Sequence, residues 1–164
     1  IAEKSGLSPE YVQENAELSP KRGLFAYAFA GRDITGKSVE DLVHEVQRKV
    51  ILDLAEKEPC VIIGRNADYI LKDYDNVVRI FIHAPQDYRI QRVMDVYGDT
   101  PKEARVNIER SDKARASYYE HISGTHWGDA RNYELTVDSS DGVEKTAQFI
   151  VRYITGHTQT DSAV

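Results

Sequence analysis

The chain has 164 residues, 41% of them hydrophobic and 29% charged, with a formal net charge of −6 and a single cysteine. This length and balance suit one soluble globular domain with a sizeable core. The acidic charge argues against a nucleic-acid-binding surface, lone Cys60 excludes an internal disulfide and fits a reducing cytoplasm, and no membrane-length apolar run or signal-peptide pattern is present.

The chain opens with Ile1 rather than Met, and "IAEKSGL" reads as the end of a helix closed by Gly6, so an upstream segment is expected. Ser8-Pro9 caps a short helix running to about Glu17. Gly31 to Ser38, "GRDITGKS", fits the Gly-x4-Gly-Lys-Ser pattern of a phosphate-binding loop. Three features argue against that role. The preceding "LFAYAFA" has no Val, Ile or Thr, and its alanines prefer helix. Ile34 puts a β-branched side chain where the loop wants a glycine-like backbone. Asp33 would set a carboxylate beside the phosphates. The expectation is a surface turn ahead of a helix.

That helix is predicted from Ser38 to about Lys57, on the stripe Val39, Leu42, Val43, Val46, Val50, Ile51 and Leu54. Short apolar runs predict buried strands at Cys60 to Ile63, Val77 to Ile82 and Tyr133 to Asp138, with the Cys60 thiol buried and structural. Pro85 starts a helix with Ile90, Val93, Met94 and Tyr97 on one face. Thr100-Pro101-Lys102-Glu103 is a capping box for the next. Val143, Ala147, Ile150, Val151 and Ile154 line the last helix, and the polar tail from Gly156 to Val164 is expected to be disordered. Strands alternating with helices indicate an α/β domain with a parallel sheet. Three strands are few for it, so further N-terminal strands are expected outside this chain.

Open α/β sheets bind ligands at the C-terminal ends of their strands. After the first predicted strand come Gly64-Arg65, Asn66 and Asp68. A guanidinium behind a glycine suits a phosphate or carboxylate, or else a salt bridge at the sheet edge. Arg89 and Arg92 lie one turn apart on the following helix, either facing a shared anion or forming a solvated flank. "ERSDKARASYY" places Arg110, Lys113 and Arg115 within six positions, as a solvated charged helix or as a mobile arm whose cations converge on closing. His121, His126 and Asp129 match no zinc spacing, so no metal site is expected. Trp127 and the tyrosines of "ASYYEH" read as packing groups.

Taken together, "CVIIGRNADYIL", "VRIFIHAPQDYRIQRV" and "SDKARASYYEHISGTHWGDARNYELTVDSS" resemble the cytidylate kinase-like family, related to the P-loop nucleoside monophosphate kinases. The resemblance reaches to about Ile154. It implies a three-layer α/β/α P-loop kinase fold over residues 1–155, incomplete at its N-terminus, with a lid at about 100–131 and a tail at 156–164. The family's own phosphate loop would precede residue 1, which leaves "GRDITGKS" in a variable region. By position, Arg65 would hold the acceptor monophosphate, with Asp68, Arg89 and Arg92 beside it. Arg110, Lys113 and Arg115 would be the catalytic lid cations. Asp138, Ser139 and Ser140 would form the loop on which the adenine of ATP rests. The family carries acids on both sides of Gly-Arg where this chain has Ile63 and Asn66, and its lid arginines are replaced here by Lys113 and Ser117.

The resemblance implies ATP-dependent, Mg²⁺-assisted phosphoryl transfer to a nucleoside monophosphate, CMP or dCMP, by a cytoplasmic enzyme compatible with homo-oligomerisation and inactive as this chain alone. The alternative is a catalytically inactive nucleotide-binding or oligomerising module of the same fold. The changed residues around Gly64-Arg65 favour the module, and the retained lid cations favour the enzyme.

Overall fold

The structure of the protein, a computed structural model, describes residues 39–158, with side chains described for residues 44–156. The expected helix at Ser8, "GRDITGKS", and the last six residues of the tail lie outside that range. The described elements are α1 (Val39–Lys57), α2 (Ala67–Ile70), β1 (Ile80–His83), α3 (Gln86–Tyr97), α4 (Pro101–Ser123), a 3-10 turn (Ala130–Asn132), β2 (Leu135–Asp138) and α5 (Val143–Thr158). The chain divides into two compact units, Ile1–Tyr74 with Arg110–Gly124, and Asp75–Glu109 with Thr125–Val164. Among the described residues no helix is long and apolar enough to cross a membrane.

In the first unit α1 packs against α2. Gln47 and Ile51 of α1 are buried, as are Ala67, Ile70, Leu71 and Tyr119. The inward row of α1 therefore includes a glutamine, whereas Leu54, expected on the apolar stripe, is exposed. Two polar contacts tie the later half of α4 to this core. The Tyr119 hydroxyl donates to Asp68 Oδ2 at 2.8 Å, and the Tyr118 hydroxyl lies 3.3 Å from His44 Nδ1. The Tyr74 hydroxyl donates to Glu56 Oε1 at 3.3 Å.

The expected strand at residues 60–63 does not form. Val61 and Ile63 are 92% and 87% exposed, and Cys60 is an exposed free thiol rather than a buried one. An apolar run becomes a strand only when a neighbouring backbone completes its hydrogen-bond ladder. Among the described residues the sheet consists of β1 and β2 alone.

In the second unit those two strands pair in parallel, Ile80 opposite Leu135 and His83 opposite Asp138. Arg79 and Glu134 lock the entrance to the pair. The Arg79 backbone N–H donates to Glu134 Oε2 at 2.7 Å, its guanidinium grips the same carboxylate, and the Glu134 N–H returns a bond to the Arg79 carbonyl at 3.0 Å. Partial burial works to raise the Glu134 carboxyl, and the hydrogen bonds from Arg79 more than reverse it, so it titrates below the ordinary glutamate value. Tyr153 of α5 donates to the Glu134 carbonyl at 3.0 Å, fastening that helix to the same point.

The crossover between the strands carries α3 and α4, whose core is Ile90, Ala104 and Ile108 with Val93 and Met94 packed against it. Tyr97, expected on this face, is 76% exposed. It is the last residue of α3, where Gly98 at φ 75° turns the chain away while the core is filled from earlier turns. The capping box forms as expected: Glu103 accepts from the Thr100 hydroxyl at 2.6 Å and amide at 2.9 Å, and these bonds hold its carboxyl below the usual range. The last helix keeps part of the expected stripe. Ile150 and Ile154 are half-buried as expected, whereas Val143, Ala147 and Val151 are exposed and the buried Thr146 completes the inward i, i+4, i+8 row. Thr146 can be buried because its hydroxyl donates to the Gly142 carbonyl at 2.8 Å. The helix also runs on to Thr158, past the expected start of the tail.

Phe81 anchors the loop after α4. Trp127, a packing group as expected, meets it edge-on at 5.3 Å between ring centroids, and Tyr133 lies 5.1 Å away. Gly128, at φ 78°, passes so close that an added Cβ would stand 2.9 Å from Phe81 Cζ. Next to it, hydrogen bonds from Arg131 hold the Asp129 carboxyl down to about 2. Gly128→Ala combines a left-handed backbone with a clash against a ring already fixed by two aromatic neighbours. It should lower the unfolding free energy by about 1–3 kcal/mol, read as a drop in the urea midpoint, and an unchanged midpoint would contradict the packing described.

Candidate functional site

The segment Ile63-Gly64-Arg65-Asn66-Ala67-Asp68 turns directly into α2. Gly64, Arg65 and Asn66 have φ of 68°, 61° and 52°, three consecutive residues in the left-handed region. The turn is closed by the Ala67 amide donating to the Gly64 carbonyl at 3.2 Å, and the Asn66 carbonyl accepts from Tyr69 at 3.1 Å and Ile70 at 2.9 Å. Gly64 is required by its backbone angle rather than by close approach, because a Cβ there would meet nothing within 4 Å. For most L-residues this conformation costs about 1–2 kcal/mol, so Arg65 is strained, whereas Asn66 is of a type that visits the region more readily. Such outliers persist where the surroundings over-determine them, and they cluster at ligand sites.

Asp68 begins in the same turn but is not simply available as a ligand group: its Oδ2 accepts the buried Tyr119 hydroxyl. Tyr119, which the sequence marks only as a packing group, also fixes the Asp68 carboxylate. No sequence signal links positions 68 and 119, which lie 51 residues apart.

Arg110, Lys113 and Arg115 all lie on the continuous helix α4. At about 100° per residue, Arg110 and Lys113 share a face and Arg115 points away from them. Arg115 pairs with Asp112 at 3.4 Å. The first unit therefore contains Arg65, Asp68 and these three cations.

Arg89, Arg92 and residues 138–140 belong to the second unit. Arg89 is half-buried and Arg92 exposed on α3. A shallow cleft in this unit is lined by Ile90, Met94 and Pro101 with Asp87, Lys102 and Arg105, and by neither of those arginines. At the end of β2 the Ser139 amide donates to the His83 carbonyl at 2.8 Å and the Ser140 amide to Asp138 Oδ1 at 2.8 Å. The bonds from Ser140 keep the Asp138 carboxyl below the ordinary aspartate value. Both amides are thus already committed to partners within the fold.

The sequence profile of the cytidylate kinase-like family matches residues 1–141. The chain belongs to that family. It is similar to the cytidylate kinase of Pyrococcus furiosus, 28% identical over 147 residues that cover 87% of this chain and 65% of that protein. It is also similar to the cytidylate kinase of Methanopyrus kandleri, 26% identical over 149 residues, 85% of this chain and 75% of that one. The chain thus spans about two thirds, 65%, of the Pyrococcus furiosus relative's length. Among solved structures, an uncharacterised protein from Eubacterium ventriosum is 30% identical with a TM-score of 0.65, covering 71% of this chain and 74% of that one.

The Tyr119–Asp68 bond is buried on the tyrosine side and joins the turn to α4. Tyr119→Phe should destabilise the protein by about 1–3 kcal/mol, the cost of leaving a carboxylate oxygen without its donor. Chemical denaturation checks this, and a variant as stable as the parent would show that the bond does not hold the turn.

Proposed function

We propose that the protein transfers the γ-phosphoryl group of ATP to a nucleoside monophosphate, with CMP or dCMP as the acceptor. Family membership and the activity named for the Pyrococcus and Methanopyrus relatives support a nucleotide kinase. The single observation in this chain that carries the reading is the strained left-handed turn that sets Arg65 between Gly64 and Asn66. In this reading residues 1–155 belong to a three-layer α/β/α P-loop kinase domain of a cytoplasmic enzyme.

Each residue has a role suited to its chemistry. Arg65 binds the acceptor's phosphate through its planar fork of donors, with Asp68 positioned by Tyr119 next to it. Arg89 and Arg92 add positive charge on the acceptor side. Arg110, Lys113 and Arg115 belong to a lid at residues 100–131 and stabilise the charge on the transferring group as the lid excludes water. Residues 138–140 support the adenine. The described residues contain no group of three or more His, Cys, Asp or Glu side chains able to hold a metal. Mg²⁺ in such sites is held largely by phosphates and water, so it is expected to arrive with ATP and to neutralise phosphate charge.

Arg65→Ala decides between the anion-binding role and a salt bridge at the sheet edge. In the intact protein, kcat/KM for the monophosphate should fall on the order of 100-fold, about 3 kcal/mol of transition-state binding, with Tm little changed. A lowered Tm with normal kcat/KM would assign the arginine to structure instead.

A further inference from the structure

Helices α3 and α4 fold back on one another. Gly98, Asp99 and Thr100 join them, and at the far end the Gln86 side-chain amide donates to Glu109 Oε1 at 3.4 Å. The shallow cleft between them has walls of opposite charge. The α3 wall carries Asp87 and Gln91, whose Nε2 donates to Asp95 at 2.8 Å, and the α4 wall carries Lys102 and Arg105. Asp87, Lys102 and Arg105 are exposed, and among the described residues none of their side chains forms a hydrogen bond or ion pair. The floor between the walls is apolar, made by Ile90, Met94 and Pro101. Tyr97 extends that floor: with Ile90 and Met94 it completes an i, i+4, i+7 row on α3, yet its ring stands outside the core. Val106, one turn after Lys102 on α4, is exposed as well. Tyrosine, methionine and arginine gathered around an apolar floor have the composition of a protein–protein contact.

We propose that this cleft docks a second copy of the chain, in a dimer whose two-fold axis runs along the cleft. Rotation about such an axis exchanges the walls, so α3 of each copy faces α4 of the other and every contact occurs twice. Asp87 and Asp95 of one copy then meet Lys102 and Arg105 of the second. The rows of Ile90, Met94 and Tyr97 close against each other and leave water. Charge complementarity selects both the occupant and the orientation. A second copy brings an acidic and a basic wall at the matching separation by symmetry alone. An axis running across the cleft would instead set acidic wall against acidic and basic against basic, which is repulsive. With a net charge of −6 the chain repels its own copies over most of its surface, and this is a place where acid meets base on contact.

The test is sedimentation equilibrium of the intact protein over a range of concentrations, with circular dichroism of each sample as the check on folding. Asp87→Lys and the double variant Lys102→Glu with Arg105→Glu each set like charge against like across the axis. Either variant alone should dimerise at least about tenfold more weakly than the parent. Mixed in equal amounts, the two should form a heterodimer with the parent's affinity, because both pairs of walls are again opposite in sign. Tyr97→Glu, at a position already exposed, should also weaken the dimer, and it supplies the same reading where a charge variant fails to fold. A parent that sediments as a monomer at every concentration overturns the proposal. So does a dimer that all of these variants leave intact, since the copies then meet elsewhere. Dimers lost in each charge variant and not regained on mixing would also overturn it, because the charges would then act within one copy rather than between two.

Discussion

Parallel pairing of β1 with β2 sets a demand that most of the described chain serves. An antiparallel pair can be closed by two residues, but a parallel pair must be joined by a long crossover. Here the crossover runs from the end of β1 at His83 to the start of β2 at Leu135. It carries α3, α4 and the aromatic loop around Trp127, and with them Arg89, Arg92, Arg110, Lys113 and Arg115. The pair is short, four residues on each side, so its alignment depends on the clamp at its entrance. Arg79 and Glu134 exchange backbone and side-chain hydrogen bonds there, and Tyr153 ties α5 to the same residue. At the other end, the amide and hydroxyl of Ser139 both donate to the His83 carbonyl, so the loop leaving the sheet is set by the same register.

The turn at Gly64 to Asn66 works in the opposite sense, because it stores cost rather than stability. Its left-handed residues are held in place by the helix on their C-terminal side. Ala67, Ile70 and Leu71 are buried there, and burying a leucine- or isoleucine-sized side chain contributes about 1.5–3 kcal/mol, enough to offset a strained residue or two. The Tyr119 hydroxyl on Asp68 fixes the turn from the α4 side. Burial and this hydrogen bond thus anchor a conformation that the local sequence would not adopt alone.

Much of this was legible in the sequence, and the exceptions share a cause. Period and capping placed α1, α3, α4, α5 and both strands, because those signals are local: Thr100 and Glu103 sit three residues apart and bond to each other. The residues Val61 and Ile63 misled, since an apolar run states a preference for burial but not whether a partner strand is present to complete it. On α5 the valines at 143 and 151 outweighed Thr146, whose burial depends on a backbone carbonyl one turn away. Gln47 is buried in α1 for reasons hydropathy does not carry. At the candidate site, Gly64-Arg65 stood out by composition, but neither the left-handed run nor the Tyr119–Asp68 bond did. The first needs backbone angles and the second joins distant positions. The family resemblance drew on the order of several short motifs, and the profile match over residues 1–141 bears it out.

The central claim is that this chain's protein moves a phosphoryl group between nucleotides. The most direct measurement is ³¹P NMR of the intact protein with ATP, Mg²⁺ and, in separate samples, CMP, dCMP, UMP and AMP. The account predicts equal formation of ADP and a nucleoside diphosphate, fastest with CMP or dCMP. Unchanged ATP and monophosphate in every sample, or release of inorganic phosphate with no diphosphate formed from the acceptor, would contradict it.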